Sequence, residues 1–344
     1  MTQLRLVSTL AVMALLSFAG CDKKADAPTP KGKPVTGTTP GPAPTPPTPA
    51  GAKLRIAVIP KGTTHDFWKG VERGAKKAGE ELDVEIVWKG PALENDRAQQ
   101  IQLVQQFVTD KVSAIVLAPL DDTALLGPVK QATAGGIPVA IVDSGLKGEA
   151  GTDYIGYYGT DNRAAGKVGG EALAKLIGKE GKAVVLRYNA GSASTVMREE
   201  GGIEGLKAGG AVIVSDNQEG GVTPESAKTK ALQMMDTIKG AAGIYTVNES
   251  TTLGMLLALR QAGLAGKIKF VGFDASAPLV EALRKGEIDA LVVQNPERMG
   301  EVGVRQVVKK LKGEATEKQV DTGAVLVTKE NMDTPEVKGL LPGT

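Results

Sequence analysis

The 344 residues include one cysteine and one histidine. This excludes an intrachain disulfide, a multi-cysteine zinc site and any chemistry that needs two histidines. An excess of one charge is also missing: 41 Lys and Arg face 39 Asp and Glu, a formal net charge of +2, with no long basic block. A nucleic-acid partner is therefore not expected. Aromatic residues are scarce, at five Phe, five Tyr and two Trp, so the positions they occupy carry information. What remains is a globular balance, 42% hydrophobic and 23% charged, in a chain long enough for two domains. No short-period repeat divides it.

The first 52 residues read as export and attachment rather than core. Met1 to Gly20 carries a single Arg5, a mostly apolar run from Leu6 to Leu16 and small residues before the cysteine, the pattern of a signal peptide. The run is shorter than the about 20 residues that span a bilayer. Phe18-Ala19-Gly20-Cys21 resembles a bacterial lipobox, which implies acylation of Cys21 and a lipid anchor. At about 0.8 kcal/mol per buried methylene, several acyl chains hold a protein at a membrane. Asp22 resembles the retention signal of inner-membrane lipoproteins. Nine of the 19 prolines lie between Pro28 and Pro49, interleaved with Thr, Gly and Ala, which predicts an extended tether over the rest of 21–52.

From Leu54 onward, short β-branched runs alternate with helical patterns. Strands are predicted at 54–59, 84–88, 114–117 and 138–142, and after Tyr154 to Gly159 at 183–186, 211–214, 243–247, 268–272 and 291–293. Such alternation argues for parallel βαβ units. Trp68, Val71, Ala75, Ala78 and Leu82 form one buried stripe on the first helix. A last long helix over 296–312 has proline near its start and Gly313 at its end. The reading is an α/β chain of two doubly wound, Rossmann-like lobes with parallel sheets and a cleft between them.

Ligands of open parallel sheets sit beyond the carboxyl ends of the strands. Those exits read Thr63-Thr64-His65-Asp66-Phe67-Trp68, Pro119-Leu120-Asp121-Asp122, Asp143-Ser144, Arg187-Tyr188, Asn248-Glu249-Ser250, Phe273-Asp274 and Gln294-Asn295. Carboxylates, amides and arginine match the paired donors and acceptors of a polyol, and Phe67, Trp68 and Phe273 offer faces for its C–H surface. Each exit residue has a structural reading beside this one. Asp66, Asp121, Asp122, Ser250 and Ser276 could cap helices, Trp68 could be wholly core, and His65 could face solvent from a loop.

The order Ala57-Val58-Ile59-Pro60, His65-Asp66-Phe67-Trp68, Ala118-Pro119, Ile137-Pro138-Val139 and Asp143 resembles the ribose- and galactose-type periplasmic sugar-binding proteins. Thr160-Asp161-Asn162, Arg198-Glu199-Glu200-Gly201, Asn248-Glu249-Ser250, Val271-Gly272-Phe273-Asp274 and Gln294 continue it to about Lys329. The resemblance implies the type I periplasmic binding fold, with a three-crossover hinge near Thr160, Gln294 and Asp321. It places the N-terminal lobe at 53–159 plus 295–320, the C-terminal lobe at 160–294 plus 321–330, and a loosely packed tail at 331–344. It further implies that Phe67 and Trp68 stack on one sugar face and Phe273 on the other, while His65, Asp143, Arg198, Asn248, Asp274 and Gln294 hold the hydroxyls. Ala118, Ser144 and Gly220-Gly221 depart from the ribose-binding pattern, and Arg187, Tyr188 and 192–195 are expected to help set specificity by location.

The expected protein is a monomeric, lipid-anchored solute-binding protein of the periplasm or cell envelope, at the inner membrane. It would hand a small sugar or polyol to an ABC permease, with no cofactor, metal or catalytic residue. A sensor feeding a chemoreceptor or histidine kinase would use the same residues. An exported sugar-acting enzyme fits less well: no G-x-G-x-x-G, phosphate loop or nucleophile elbow is present, and a triad would have only His65. The lactose-repressor type of regulator shares such a core, but here an export signal stands in place of a DNA-binding headpiece.

Overall fold

The computed structural model describes residues 53–342. The expected signal peptide, lipidated Cys21 and tether lie outside them. No helix among the described residues is long and apolar enough to cross a membrane.

The chain runs β1 (Arg55–Ile59), α1 (Asp66–Glu81), β2 (Glu85–Trp88), α2 (Arg97–Thr109), β3 (Ala114–Leu117), α3 (Leu126–Ala134), β4 (Val139–Val142) and β5 (Tyr157–Gly159). A second series follows: α4 (Asn162–Ile177), β6 (Lys182–Arg187), α5 (Ala193–Ala208), β7 (Val212–Glu219), α6 (Pro224–Gln233), α7 (Met235–Lys239), β8 (Gly243–Thr246), α8 (Glu249–Gln261), β9 (Lys269–Phe273), α9 (Ala277–Lys285) and β10 (Ala290–Gln294). The chain ends with α10 (Pro296–Leu311), β11 (Gln319–Asp321), β12 (Ala324–Thr328) and α11 (Pro335–Lys338). Each series supplies five strands of a six-stranded sheet that β11 or β12 completes, ordered β11-β5-β4-β3-β1-β2 in the first lobe and β12-β10-β9-β8-β6-β7 in the second. The chain passes between the sheets three times: after β5, after β10 and between β11 and β12.

The central strands are apolar on both faces because helices cover both sides. All four residues of β3, β4 and β8 are buried, the signature of an interior parallel strand. The sheets are not wholly parallel as expected, since β12 joins β10 antiparallel from Ala290–Thr328 to Gln294–Ala324. Its chain has just crossed back from the first lobe, and a direct return needs no crossover helix. The final segment is not a loose tail either. Met332, Val337 and Leu341 are buried in the same apolar cluster as Leu279, Leu283 and Leu291, so α11 and its flanks close one side of the second sheet.

Helix α10 belongs to the first lobe and crosses α1 at backbone distance. A Cβ on Gly300 would stand 2.0 Å from the Val71 carbonyl oxygen, and one on Gly74 would stand 1.8 Å from that of Glu297. Only glycine permits this approach. Gly300→Ala is expected to lower stability by about 1–3 kcal/mol through overpacking, against the roughly 1 kcal/mol that alanine adds at a neutral helix site. A lowered urea midpoint with unchanged slope checks it.

Candidate functional site

The carboxyl ends of both sheets face each other, and the loops leaving β1, β2, β4, β6, β8, β9 and β10 line a narrow polar cavity with about 20 Å³ accessible to a water molecule. Its walls are Lys61, His65, Phe67, Trp68, Glu94 and Asp143 from the first lobe, and Ser194, Thr195, Arg198, Asn248, Glu249, Asp274 and Gln294 from the second. Asp143 and Asp274, directly after β4 and β9, have φ of 59° and 69°. Left-handed backbone at a non-glycine residue is strained and concentrates at functional sites. Each sheet thus presents one aspartate to the cavity at some conformational cost.

Eight of the nine residues expected at the site line the cavity: His65, Phe67, Trp68, Asp143, Arg198, Asn248, Asp274 and Gln294. Phe273 does not. Its ring is fully buried, with the Arg198 guanidinium 4.4 Å above its centroid, so it supports the arginine rather than offering a free face. Arg198 is 2% exposed. Its Nε donates to Asn162 Oδ1 (2.7 Å), Nη1 to the Val247 carbonyl (3.2 Å) and Nη2 to Gln294 Oε1 (2.7 Å), and Asp143 lies 3.9 Å from Nη2. Gln294 Nε2 donates to Asp274 Oδ1 (2.6 Å), and its Oε1 also accepts from Thr160 Oγ1 (2.9 Å), where the chain leaves β5. One amide therefore joins the cavity to two of the sheet crossings.

Sequence reasoning missed Lys61, Glu94 and Glu249. Lys61 is 2% exposed, pairs with Asp143 Oδ2 at 3.0 Å, and donates across the cleft to Ser192 Oγ (3.2 Å) and Ser194 Oγ (2.9 Å). Glu249 also reaches across, accepting from the backbone N–H groups of Asp66 (3.2 Å) and Phe67 (3.0 Å). It occupies the capping role considered for Asp66: the positive N-terminal end of α1 is covered by a carboxylate of the other lobe. Glu94, between β2 and α2, accepts from His65 Nδ1 (2.7 Å), Trp68 Nε1 (2.6 Å) and, from the second lobe, the Tyr188 hydroxyl (2.7 Å). The sequence signals were the place of Glu249 within a strand exit and the proximity of Lys61 to β1. Glu94 lies in the exit of the strand expected at 84–88, an exit not among those singled out.

Burial lowers the His65 pKa, but Glu94, with Glu249 and Asp274 beyond it, outweighs that and raises it to about 9. Burial works the other way on Glu94, and His65, Lys61 and the Trp68 N–H together still hold it down at about 2. Burial pushes the Glu249 and Asp274 carboxyls above their ordinary values. His65 is thus buried and paired, not a solvent-facing loop residue.

The remaining expectations divide. Trp68 is 2% exposed and belongs to the first-lobe core, its ring edge-on to Phe67 at 4.9 Å, while its indole N–H serves the site. Asp121 closes the turn before α3, accepting from Thr123 and Ala124 backbone N–H at 2.9 and 2.7 Å, while Leu125 is the N-cap of that helix. Arg187 turns away to Glu199 (2.9 Å). Asn248 lines the cavity and also caps α8, where Oδ1 accepts from Thr251 N (3.2 Å). Asn248→Ala is therefore expected to cost about 1 kcal/mol of stability from the lost cap, besides weakening ligand-induced stabilisation. Denaturant midpoints with and without ligand separate the two effects.

Two doubly wound lobes closing on a buried polar cavity define a two-lobed small-molecule binding protein. The chain belongs to the periplasmic binding protein family, whose domain model matches residues 56–315. It is 30% identical to the D-ribose/D-allose-binding protein of Pseudomonas aeruginosa over 285 residues, 80% of this chain and 89% of that one. Among solved structures it resembles an ABC transporter solute-binding protein from Agrobacterium vitis with bound D-fucose, at 39% identity and a TM-score of 0.80, over 83% of this chain and 99% of that one. It also resembles a carbohydrate transporter solute-binding protein from Agrobacterium radiobacter in complex with D-arabinose, at 31% identity and a TM-score of 0.80, over 85% and 100%. All three are sugar-binding proteins rather than enzymes, and the two solved structures are solute-binding proteins of transporters.

Proposed function

We propose that this protein captures a neutral monosaccharide or small polyol between its lobes and delivers it to an ABC permease, from the periplasmic side of a membrane to which Cys21 anchors it by lipid. The observation that carries the reading is the charge of the cavity, whose three cations, Lys61, His65 and Arg198, face four carboxylates, Glu94, Asp143, Glu249 and Asp274. Lys61 and Arg198 serve Asp143, His65 serves Glu94, and the carboxylates of Asp274 and Glu249 are occupied by Gln294 and by backbone N–H groups. Among the described residues the lining thus carries no excess of positive charge to draw an anionic ligand. A ring of hydroxyls, each both donor and acceptor, can insert among such groups without unbalancing them.

Further support comes from the relatives with D-fucose and D-arabinose bound. In this reading the three sheet crossings near Thr160, Gln294 and Asp321 are the hinge, His65, Phe67, Trp68, Asp143, Arg198, Asn248, Asp274 and Gln294 contact the ligand, and Phe273 acts from beneath Arg198. The protein works as a monomer, shifting from open to closed as ligand bridges the lobes.

A thermal-shift panel of pentoses, hexoses and polyols tests it, with chromatographic recovery of any sugar that binds. A ligand at 100 times its Kd adds about 2.7 kcal/mol. Stabilisation by one sugar, recovered unchanged, is the expected result. No stabilisation by any of them, or chemical conversion of one, would overturn the reading.

A further inference from the structure

Glu94 has no counterpart in the sugar-contacting set above, yet three groups converge on its carboxylate: His65 Nδ1 at 2.7 Å, Trp68 Nε1 at 2.6 Å and the second-lobe Tyr188 hydroxyl at 2.7 Å. It is 7% exposed and His65 likewise. With these bonds made, both carboxylate oxygens are engaged, so Glu94 has little capacity left for a ligand. His65 is different. Its Nδ1 is taken by Glu94, whereas its Nε2 has no partner among the described residues and the ring lines the cavity.

We propose that Glu94 is a positioning residue: it fixes His65 as a hydrogen-bond donor, from Nε2, to an oxygen of the bound sugar, and through Tyr188 it ties that geometry to closure of the lobes. The chemistry follows from the imidazole. When Nδ1–H is held by a carboxylate, a neutral ring has a bare Nε2 that only accepts, whereas the imidazolium donates from both nitrogens. The carboxylates facing His65 are Glu94, Glu249 and Asp274, and the other cation acting on Glu94 is Lys61, itself paired with Asp143. This balance keeps the imidazolium through neutral pH. The cavity thereby demands an acceptor, a ring or hydroxyl oxygen, at one place on the ligand. The proposal rests on the sugar-binding reading above.

The single histidine makes the test unambiguous. In protein labelled with ¹⁵N-histidine, wild type is expected to show both ring nitrogens protonated up to about pH 8. Glu94→Gln, nearly the same shape without the charge, is expected to turn neutral at or below the ordinary imidazole range near pH 6.5. Wild-type Kd for whichever of D-ribose, D-allose, D-fucose or D-arabinose stabilises the protein should stay flat from pH 5.5 to 8. In Glu94→Gln it should weaken over that range by about fivefold, as a charge-assisted bond is lost. The ¹⁵Nε2 signal of wild type should move on sugar addition.

A neutral His65 in wild type at pH 7, or an Nε2 signal unmoved by a sugar that demonstrably binds, would overturn the assignment. Both readouts need only the wild type, so a Glu94→Gln variant that fails to fold does not protect it. Absence of binding by any of the four sugars to wild type would instead count against the sugar-binding reading, and the assignment would fall with it.

Discussion

Arg198→Ala is expected to remove sugar binding and to cost about 3–5 kcal/mol of stability. The guanidinium lies between Asp143, Gln294, Asn162 and the Val247 carbonyl, over the Phe273 ring, and is 2% exposed. Deleting it leaves buried acceptors without a donor and leaves Asp143 and Asp274 in one cavity with only Lys61 and the Glu94-paired His65 as cations. Breaking one side of a buried charge arrangement costs this much because the partner stays desolvated. Arg198→Lys restores the charge but not the planar fork, so it should recover part of the stability and little of the binding. Urea midpoints and calorimetric titration on both variants check this. An alanine variant with wild-type affinity would remove Arg198 from the site.

Trp68→Ala should be as severe, for reasons that combine core and site. Its ring fills the first-lobe core beside Val71, Ala75 and Val304, and Trp→Ala in such a place costs about 3–5 kcal/mol. The indole N–H is also one of the three donors to Glu94, so the cavity loses order along with volume. Trp68→Phe isolates the second effect: the ring volume is largely kept, only the bond to a charged acceptor goes, and the expected loss is about 1.5–3 kcal/mol. Equal losses in the two variants, read from denaturant midpoints, would contradict this division.

Much of the fold was legible because interior parallel strands bury both faces and so read as unbroken apolar runs, as at Ala114–Leu117 and Val139–Val142. The parts missed are those without that constraint. β11 is three residues, Gln-Val-Asp, and β12 is an edge strand with only Val327 buried, so neither carries a period of its own. β7 runs on through Ser215-Asp216-Asn217-Gln218-Glu219, residues that read as a turn, because pairing with β6 through register shifts overrides local preference.

In the site, residues at strand exits could be nominated because topology places all of them at one end of the sheets. Glu94 is passed over because it lies six residues beyond Trp88 in the long loop leaving β2, whereas the residues nominated stand close to the ends of their strands. Phe273 was placed by analogy of position, and only in the folded chain does Arg198 cover its ring, which takes it out of the cavity lining.

The central claim is that one neutral sugar occupies the space between the lobes. A crystal structure grown with the most stabilising sugar tests it most directly. The expected result is a single ring in the cavity, within hydrogen-bond distance of Asp143 from the first lobe and Arg198 from the second, with Phe67 against its C–H face. A sugar bound elsewhere on the protein, or a cavity still empty at saturating sugar, would contradict it.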